Sequence, residues 1–392
     1  MPAPNPFQFG RELGPSELVN RQPELAALSA ALAAGGKLFL IGPRRFGKTS
    51  ILRVAATRAE EAGICVLRYD AQAFPGLSEL AERIAADTVK RLSPTLEKAA
   101  KAARELFRGL GPQASFDPQD GNWTLSLAGA QGRSMPVPLL VDVLDGVERA
   151  AQKSKRPAAI ILDEFQEIIE RGGNDAEAQI RAAVQRHEHV AYIFAGSKTR
   201  LLTAMVSDHS RPFYRLGTVH FLGPVAREDF SPFIADGFAN AGLEITPDAV
   251  AAVLELAEDV PYNVQMLASA CWAWANTNRA ANRAAGTAVT ADVVRNVCEM
   301  EARRLDPLYT QIWSDLVASQ RQALRAIVLE RGLLLTSADA SKRYKLPIST
   351  MQRAIEALER KQLVRQDASL GEKQYRLEDP LFAAWIRTLR AT

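Results

Sequence analysis

One stretch of eight residues has the residue types and the spacing of a phosphate-binding loop. It reads Gly42-Pro43-Arg44-Arg45-Phe46-Gly47-Lys48-Thr49, is followed by Ser50, and matches the pattern GxxxxGK[ST]. Glycines permit backbone angles and a close approach that turn successive amide N–H groups towards phosphate oxygens. Lys48 would reach the β- and γ-phosphates of a nucleoside triphosphate, and Thr49 would bind Mg²⁺. The pattern therefore predicts a nucleoside-triphosphate site that uses Mg²⁺.

Two acidic residues follow a second apolar run and could complete such a site. Asp163 and Glu164 come directly after residues 159–162, Ala-Ile-Ile-Leu. Asp163 would hold the metal through water, and Glu164 would polarise the attacking water as a general base. An apolar run followed by Asp-Glu can also be a strand that enters a helix cap. The phosphate loop upstream favours catalytic roles for Lys48 and Glu164 and metal binding by Thr49 and Asp163.

Three further polar residues could contribute to catalysis. Ser197 follows a third apolar run, residues 192–195, and could orient the water or sense the γ-phosphate. Arg211 and Arg215 precede an apolar run at residues 218–222, and either could stabilise transferred charge in cis or from a neighbouring subunit. A Gly-Ser turn and ordinary surface arginines are the alternatives at these positions. At the end of the third run we favour Ser197 over the neighbouring Lys198, and the choice between Arg211 and Arg215 stays open at this point.

Short apolar runs alternate with segments of helical periodicity around these residues. A run at 37–41 precedes the loop, and a helical pattern at 50–62 follows it. The alternation predicts an α/β fold of the P-loop NTPase type, in which helices sandwich a mostly parallel sheet. The further predicted elements are strands at 64–69, 158–162 and 190–195 and a helix at 77–92.

The length of 392 residues fits two or three domains. We expect a P-loop ATPase core at 1–225, with an insertion at about 93–136 that contains a hairpin, then a helical lid at 226–312 and a winged helix at 313–392. The last assignment depends on an order of three helices and two β-prone stretches, which is typical of winged helices. These five elements are predicted at 320–330, 337–345, 349–361, 363–366 and 373–377.

Charge and composition narrow the possible partners. The net charge is +3, but residues 313–392 carry 14 lysines and arginines against 9 acidic residues, so the excess lies in the C-terminal region. No apolar run approaches the ~18 residues that span a bilayer, and the three cysteines form no CxxC pair. We therefore expect a cytoplasmic protein without a membrane partner, whose basic end could contact nucleic acid.

The third predicted helix of the winged unit carries the residues that could contact DNA. Short polar and basic side chains in its first turns could reach base edges or phosphates; these are Ser349, Thr350, Gln352 and Arg353. Basic residues at the helix end and wing could hold the phosphate backbone; these are Arg360, Lys361, Arg365 and Lys373. Ile348, Met351, Ile355 and Leu358 would face the core. A winged helix that docks protein partners is the alternative.

The chain resembles the archaeal-type ATPases of the STAND and AAA+ groups, which are related to origin-recognition initiators. The resemblance covers essentially the whole chain. It rests on the phosphate loop and on Asn5-Pro6-Phe7, Phe9-Gly10-Arg11, Leu18-Val19-Asn20-Arg21, Leu162-Asp163-Glu164-Phe165, Phe213-Tyr214-Arg215, Val260-Pro261-Tyr262 with Gln265, and residues 379–385. Asn20 stands where the family commonly has a glycine, and Asp259 stands near the usual glycine of the lid.

The resemblance implies roles for several of these residues. Val19, Asn20 and Arg21 would lie near the adenine, Pro261 would belong to the lid, and Arg215 would be a candidate arginine finger, which in trans would require a homo-oligomer. We expect ATP binding and Mg²⁺-dependent hydrolysis coupled to a winged helix that binds DNA. The alternative is a slow or non-hydrolysing nucleotide switch whose winged helix docks a protein partner.

Overall fold

The structure is a computed structural model that describes residues 4–92, 96–117, 122–127, 136–173, 175–280, 288–367 and 374–389. The chain forms two compact units. The sheet unit comprises Gly14–Pro43 and Gly47–Leu222, and the helical unit comprises Met1–Leu13, Arg44–Phe46 and Gly223–Thr392. Residues Arg44–Phe46, in the middle of the phosphate loop, thus belong to the helical unit.

The strands of the described residues are, in chain order, β1 (Lys37–Ile41), β2 (Cys65–Asp70), β3 (Pro112–Asp117), β4 (Asn122–Leu127), β5 (Ala158–Asp163), β6 (Val190–Gly196), β7 (Thr218–Phe221), β8 (Val364–Asp367) and β9 (Gln374–Leu377). The α-helices of the sheet unit are α1 (Gln22–Ala33), α2 (Lys48–Glu61), α3 (Leu77–Leu92), α4 (Leu96–Leu106), α5 (Pro136–Ser154), α6 (Gln166–Gly172), α7 (Ala176–Arg186) and α8 (Thr199–Ser207). Those of the helical unit are α9 (Arg227–Ala239), α10 (Pro247–Leu256), α11 (Pro261–Ala280), α12 (Ala291–Arg304), α13 (Asp306–Ser314), α14 (Ala318–Leu329), α15 (Ala338–Arg343), α16 (Ile348–Arg360) and α17 (Pro380–Thr388).

The sheet unit is built on five parallel strands in the order β2-β5-β6-β1-β7. Every residue of β5 and β6 is buried, as expected for strands that are covered on both faces. This confirms the predicted fold class. Because all five strands run in the same direction, the residues that follow β1, β5 and β6 lie at one edge of the sheet.

The segment between α3 and α5 contains the predicted hairpin. Strands β3 and β4 pair antiparallel, with Pro112 opposite Leu127 and Asp117 opposite Asn122. The backbone N–H of Leu127 donates a 3.1 Å hydrogen bond to Glu82 of α3, and Leu127 itself is buried. The hairpin is therefore anchored on α3.

The helical unit combines helices α9–α12, which were predicted to form a lid, with the elements of the predicted winged helix. An N-terminal segment is part of this unit: Phe7 is buried against Phe233 and Phe238, and Asn5 donates from Nδ2 to the backbone oxygen and Oγ of Ser269. Further along the chain, α14 packs on α16, and β8 pairs antiparallel with β9.

The aromatic side chains of Tyr309, Phe382 and Trp385 form a cluster that joins α13 to α17. Within the described part of the chain, none of the helices is long and apolar enough to cross a membrane.

Candidate nucleotide site and winged-helix surface

The phosphate loop joins the end of β1 to the start of α2. Gly47 has φ +87° and ψ 14°, a left-handed conformation that favours glycine, and helix α2 begins at the next residue. Gly42 is needed for a different reason, since a Cβ there would lie 2.8 Å from the Cβ of Leu222 and 2.9 Å from its backbone oxygen. A larger residue would therefore be strained at position 47 and would clash with Leu222 at position 42.

Lys48 lies at the start of α2, where the N-terminal backbone N–H groups and the helix dipole favour an anion. Its side chain is only 5% exposed, and Nζ donates hydrogen bonds of 2.9 Å to the backbone oxygens of both Gly42 and Pro43. The ammonium group is thereby held against the loop itself. Ser50, the next polar residue of α2 after Thr49, is also buried.

Thr49 and Asp163 are in direct contact although 114 residues separate them in the chain. The hydroxyl of Thr49 donates a 2.8 Å hydrogen bond to Oδ2 of Asp163, and the backbone N–H of Glu164 donates to Oδ1 at 3.0 Å. Burial raises the pKa of Asp163, while the hydrogen bond from Thr49 and the charge of Lys48 oppose this shift. A hydroxyl beside a buried carboxylate is a donor set that suits Mg²⁺, and the cation would offset the cost of burying that charge.

Glu164 lies next to Ser197 because β5 and β6 are neighbouring strands. The hydroxyl of Ser197 donates a 2.7 Å hydrogen bond to Oε2 of Glu164. The same oxygen accepts a second hydrogen bond from Nε2 of Gln166, which is 1% exposed. The sequence interpretation missed Gln166, although it lies two residues after Glu164. The ammonium group of Lys198, the residue after Ser197, pairs with Glu170 of α6 at 2.5 Å.

Two family models match the chain. A model described as "AAA ATPase domain" matches residues 17–194, and one described as "Probable winged helix domain" matches residues 307–388. This chain carries an AAA ATPase domain. It is followed by a winged helix domain, in the order that the sequence predicted.

The AAA ATPase domain and the helices after it are also similar to solved structures. A Walker-type ATPase of Pyrococcus abyssi superposes with a TM-score of 0.62 at 17% identity, covering 97% of this chain and 99% of that one. The ORC2 protein of Aeropyrum pernix superposes with a TM-score of 0.53 at 16% identity, covering 99% and 98%. At such identities the likeness concerns the fold. No curated protein matches the sequence significantly.

The two arginines proposed for charge stabilisation follow the matched AAA ATPase residues and differ in their surroundings within the sheet unit. Arg211 forms an ion pair with Glu177 through both Nε, at 3.2 Å, and Nη2. Arg215 is exposed, has φ +55°, and its guanidinium lies 5.1 Å from the ring centroid of Tyr214. Arg211 thus has a structural partner within the sheet unit, and Arg215 stays the candidate for a charge-stabilising arginine.

The residues proposed near the adenine lie just before α1. Val19 is half-buried and Asn20 is exposed, with φ +34° at the position where the resembled family commonly has glycine. Arg21 is 5% exposed and pairs with Glu24 at 2.9 Å. Burial lowers the pKa of Arg21, and Glu24 opposes that shift. Their roles in binding the base stay predictions.

The middle of the phosphate loop packs among residues of the helical unit. Arg45 has φ +69°, its Nη1 donates to the backbone oxygen of Glu378 at 2.9 Å, and its guanidinium lies 5.2 Å from the ring centroid of Tyr262. The backbone N–H of Tyr262 donates to the oxygen of Arg45 at 3.2 Å. Phe46 is buried, and Arg365 lies 5.8 Å from the centroid of its ring. Arg44 is exposed.

The predicted lid motif lies at the start of α11, which begins at Pro261. The preceding Asp259 has φ +56° and forms a paired ion contact with Arg227, at 2.8 and 2.9 Å. Like Asn20, it adopts a backbone conformation that favours glycine at a place where the resembled family commonly has one. The side chain of Asn263, in the first turn of α11, is 1% exposed.

The outer surface of α16 carries most of the residues proposed for DNA contact. Ser349, Gln352 and Arg353 are exposed and Thr350 is half-buried, whereas Met351, Ile355 and Leu358 are buried. Arg360 and Lys361 are exposed at the end of the helix. Ile348 was expected in the core but is 40% exposed, because it is the first residue of the helix and precedes the packed turns. Lys373 lies outside the described residues.

Arg365 requires a correction, because it does not face solvent. It is 8% exposed, and its Nη1 donates to the backbone oxygen of Leu377 at 2.8 Å while Nη2 donates to Oε2 of Glu258 at 3.0 Å. Strand β8 carries its side chain towards the segment between α10 and α11, where Glu258 supplies a partner. The guanidinium is thus committed within the protein and is not available to hold a phosphate backbone.

Proposed function

We propose that this chain binds ATP with Mg²⁺, hydrolyses it, and uses the nucleotide cycle to control a winged helix that binds DNA. One observation carries the hydrolytic part. The Thr49–Asp163 and Ser197–Glu164 hydrogen bonds bring a candidate metal site and a candidate base together at the ends of adjacent strands. Both pairs lie at the sheet edge from which the phosphate loop starts, which is where an in-line attack on a γ-phosphate requires them.

In the proposed reaction, the loop N–H groups and Lys48 bind the phosphates, and Thr49 and Asp163 would hold Mg²⁺. When bound, Mg²⁺ neutralises charge that develops on the phosphate oxygens. Glu164 accepts a proton from water as the water oxygen bonds to the γ-phosphorus, and the bond from that phosphorus to the bridging oxygen of ADP breaks. Arg215, from this chain or from a second copy, would stabilise the transferred phosphoryl group.

The coupling to the helical unit is supported by Arg45 and Phe46. Both belong to the phosphate loop in sequence, and their contacts are with Tyr262, Glu378 and Arg365 of the helical unit. A change of loop conformation between the ATP and ADP states would alter these contacts, and the two ends of the nucleotide cycle would then favour different arrangements of the lid and wing.

The DNA-binding part rests on the exposed polar and basic side chains of α16. The first turns of that helix present Ser349, Gln352 and Arg353, and its end presents Arg360 and Lys361. One observation favours the rival function, a nucleotide switch that docks a protein. The burial of Arg365 removes one of the cations that a DNA-binding wing was expected to offer.

The deciding experiment compares ATP turnover with and without duplex DNA for the parent, Lys48→Ala and Glu164→Gln. We expect Lys48→Ala to lose nucleotide binding and Glu164→Gln to bind ATP but turn it over about 10²- to 10⁴-fold more slowly. Equal turnover by all three proteins would exclude hydrolysis at this site. If ATP turnover by the parent were the same with and without DNA, and no DNA binding appeared at low salt, the protein-docking switch would remain as the function.

A role for Arg215 in trans makes a separate prediction. Sedimentation in the presence of ATP should then show an assembly of two or more copies, since an arginine from a neighbour requires that neighbour. A chain that stays monomeric with and without ATP would restrict Arg215 to action in cis.

A further inference from the structure

We propose that Gln166 is a positioning residue that holds the Glu164 carboxylate for proton abstraction, and that Gly196 is a glycine in order to admit the Gln166 side chain. The inference rests on the proposed hydrolysis and adds two residues that act through Glu164. It comes from contacts between the ends of two neighbouring strands, β5 and β6.

The Gln166 side chain is placed by the first turn of α6, directly after β5. It is 1% exposed, and its Nε2 donates to Oε2 of Glu164, the oxygen that also accepts from Ser197. Two donors from different elements, α6 and the end of β6, thus converge on one carboxylate oxygen. A carboxylate with a single donor can rotate about its terminal torsion, and a second donor restricts that rotation.

The other end of the Gln166 carboxamide supports a role beyond packing. Among the described residues, its Oε1 has no hydrogen-bond partner although it is buried. A buried acceptor without a partner costs stability, and an apolar side chain of the same size would avoid that cost. Helix α6 does not require the amide either, because its N-cap residue is Phe165 and shows no side-chain cap. The contact with Glu164 is the interaction that explains a glutamine here.

Gly196 is the residue that makes room for this arrangement. A Cβ at Gly196 would lie 2.1 Å from Oε1 and 3.3 Å from Cδ of Gln166, and 2.6 Å from Cδ1 of Leu202. Any larger residue at the end of β6 would therefore displace the carboxamide from Glu164. Because a base must be aligned with the attacking water, small displacements of this kind reduce the rate strongly.

The first test replaces Gln166 by Met, which is close in size and cannot donate a hydrogen bond. We expect kcat to fall about 10- to 100-fold, while KM and the dissociation constant for ATP, measured with a fluorescent analogue, stay at the parent values. Gln185→Met is the matched control, since Gln185 is an exposed residue of α7 in the same unit. A kcat for Gln166→Met equal to that of the control would overturn the proposal.

The second test needs no catalysis and uses nucleotide-free protein. Gly196→Ala should lower the midpoint of thermal unfolding in the parent, and should lower it much less in Gln166→Ala, where the carboxamide has been removed. The remaining loss would come from the contact with Leu202. In a double-mutant cycle, this non-additivity measures the coupling between the two positions. If the losses in unfolding midpoint were additive, the absence of a side chain at Gly196 would not be needed to accommodate Gln166.

Different outcomes overturn the proposed hydrolysis and the positioning role of Gln166. A parent chain that does not hydrolyse ATP, or whose turnover survives Glu164→Gln, overturns the proposed function and with it the need to position a base. A parent whose turnover depends on Glu164 but is unchanged in Gln166→Met overturns the positioning role alone.

Discussion

Nη2 of Arg365 lies 3.0 Å from Oε2 of Glu258, and the side chains are only 8% and 18% exposed. The pair connects β8 of the winged helix to the segment between α10 and α11. Burial raises the pKa of Glu258, and the charges of Arg365 and Arg376 oppose that shift. The carboxylate thus depends on its arginine partner, because a buried charge without one is costly.

We therefore expect Arg365→Met to destabilise the protein by about 3 kcal/mol, because it leaves Glu258 buried without its main partner. Chemical denaturation measures this loss. Arg360→Met is the control, and as an exposed substitution it should change the free energy of unfolding by less than about 0.5 kcal/mol. If the two variants were equally stable, the Arg365–Glu258 pair would not contribute to the free energy of unfolding. Adding Glu258→Met to Arg365→Met should recover part of the loss.

A second prediction concerns Asp163 and the metal. Asp163→Asn should lower the affinity for ATP in the presence of Mg²⁺ by at least about 10-fold, because a neutral amide offers the cation less charge. Calorimetry with Mg²⁺ and with a chelator separates the metal contribution. In the parent the two affinities should differ, and in Asp163→Asn they should be nearly equal. Glu170→Gln, an exposed acidic residue of α6, should behave as the parent; a similar loss there would point to a general charge effect.

A third prediction concerns the buried His187. Nδ1 lies 2.7 Å from the hydroxyl of Tyr192 and Nε2 lies 2.8 Å from Oδ1 of Asp145, and the ring is 3% exposed. Burial lowers the pKa of His187, which the neighbouring Asp145 opposes. With one ring nitrogen accepting from Tyr192 and the other donating to Asp145, the neutral imidazole satisfies both contacts.

The sign of the pH effect follows from that lowered pKa. Below the unfolded histidine pKa of about 6.5, the unfolded chain takes up a proton that the folded chain does not, so the free energy of unfolding should fall as the pH falls. Denaturation between about pH 7.5 and pH 5.5 measures this. His187→Gln should flatten the dependence, whereas replacement of the exposed His209 by Gln should leave it as in the parent. Parallel curves for His187→Gln and the parent would contradict the assignment.

The final prediction separates base contacts from phosphate contacts on α16. Arg360→Ala with Lys361→Ala should weaken binding to all duplexes alike and reduce the salt slope by about 2, since each lost phosphate contact removes about 0.9. Arg353→Ala should weaken binding more for some sequences than for others. Fluorescence anisotropy over a salt series distinguishes the two. Arg295→Ala, an exposed cation of α12, serves as the control. If all variants bound as the parent does, α16 would not be the DNA-contacting element.

The sequence alone determined those parts of this protein that depend on local pattern. The loop from Gly42 to Thr49, each strand of the parallel sheet and each element of the winged helix is one continuous stretch of the sequence. Each follows from periodicity, from glycine placement or from a short motif, and the structure confirms the elements within a few residues. Asp163 and Glu164 were identified in the same way, as the carboxylates at the end of an apolar run.

The tertiary structure decided which distant residues meet. Gln166 is a candidate positioning residue because β5 and β6 are neighbours in the sheet, which places its side chain against Gly196. Arg365 was predicted to contact DNA, but on β8 its side chain is buried and pairs with Glu258. Both outcomes depend on packing between elements that are far apart in the chain. A local pattern reports which side of its own strand or helix a residue occupies, but not which neighbour covers that side, and here the neighbour determines the chemistry.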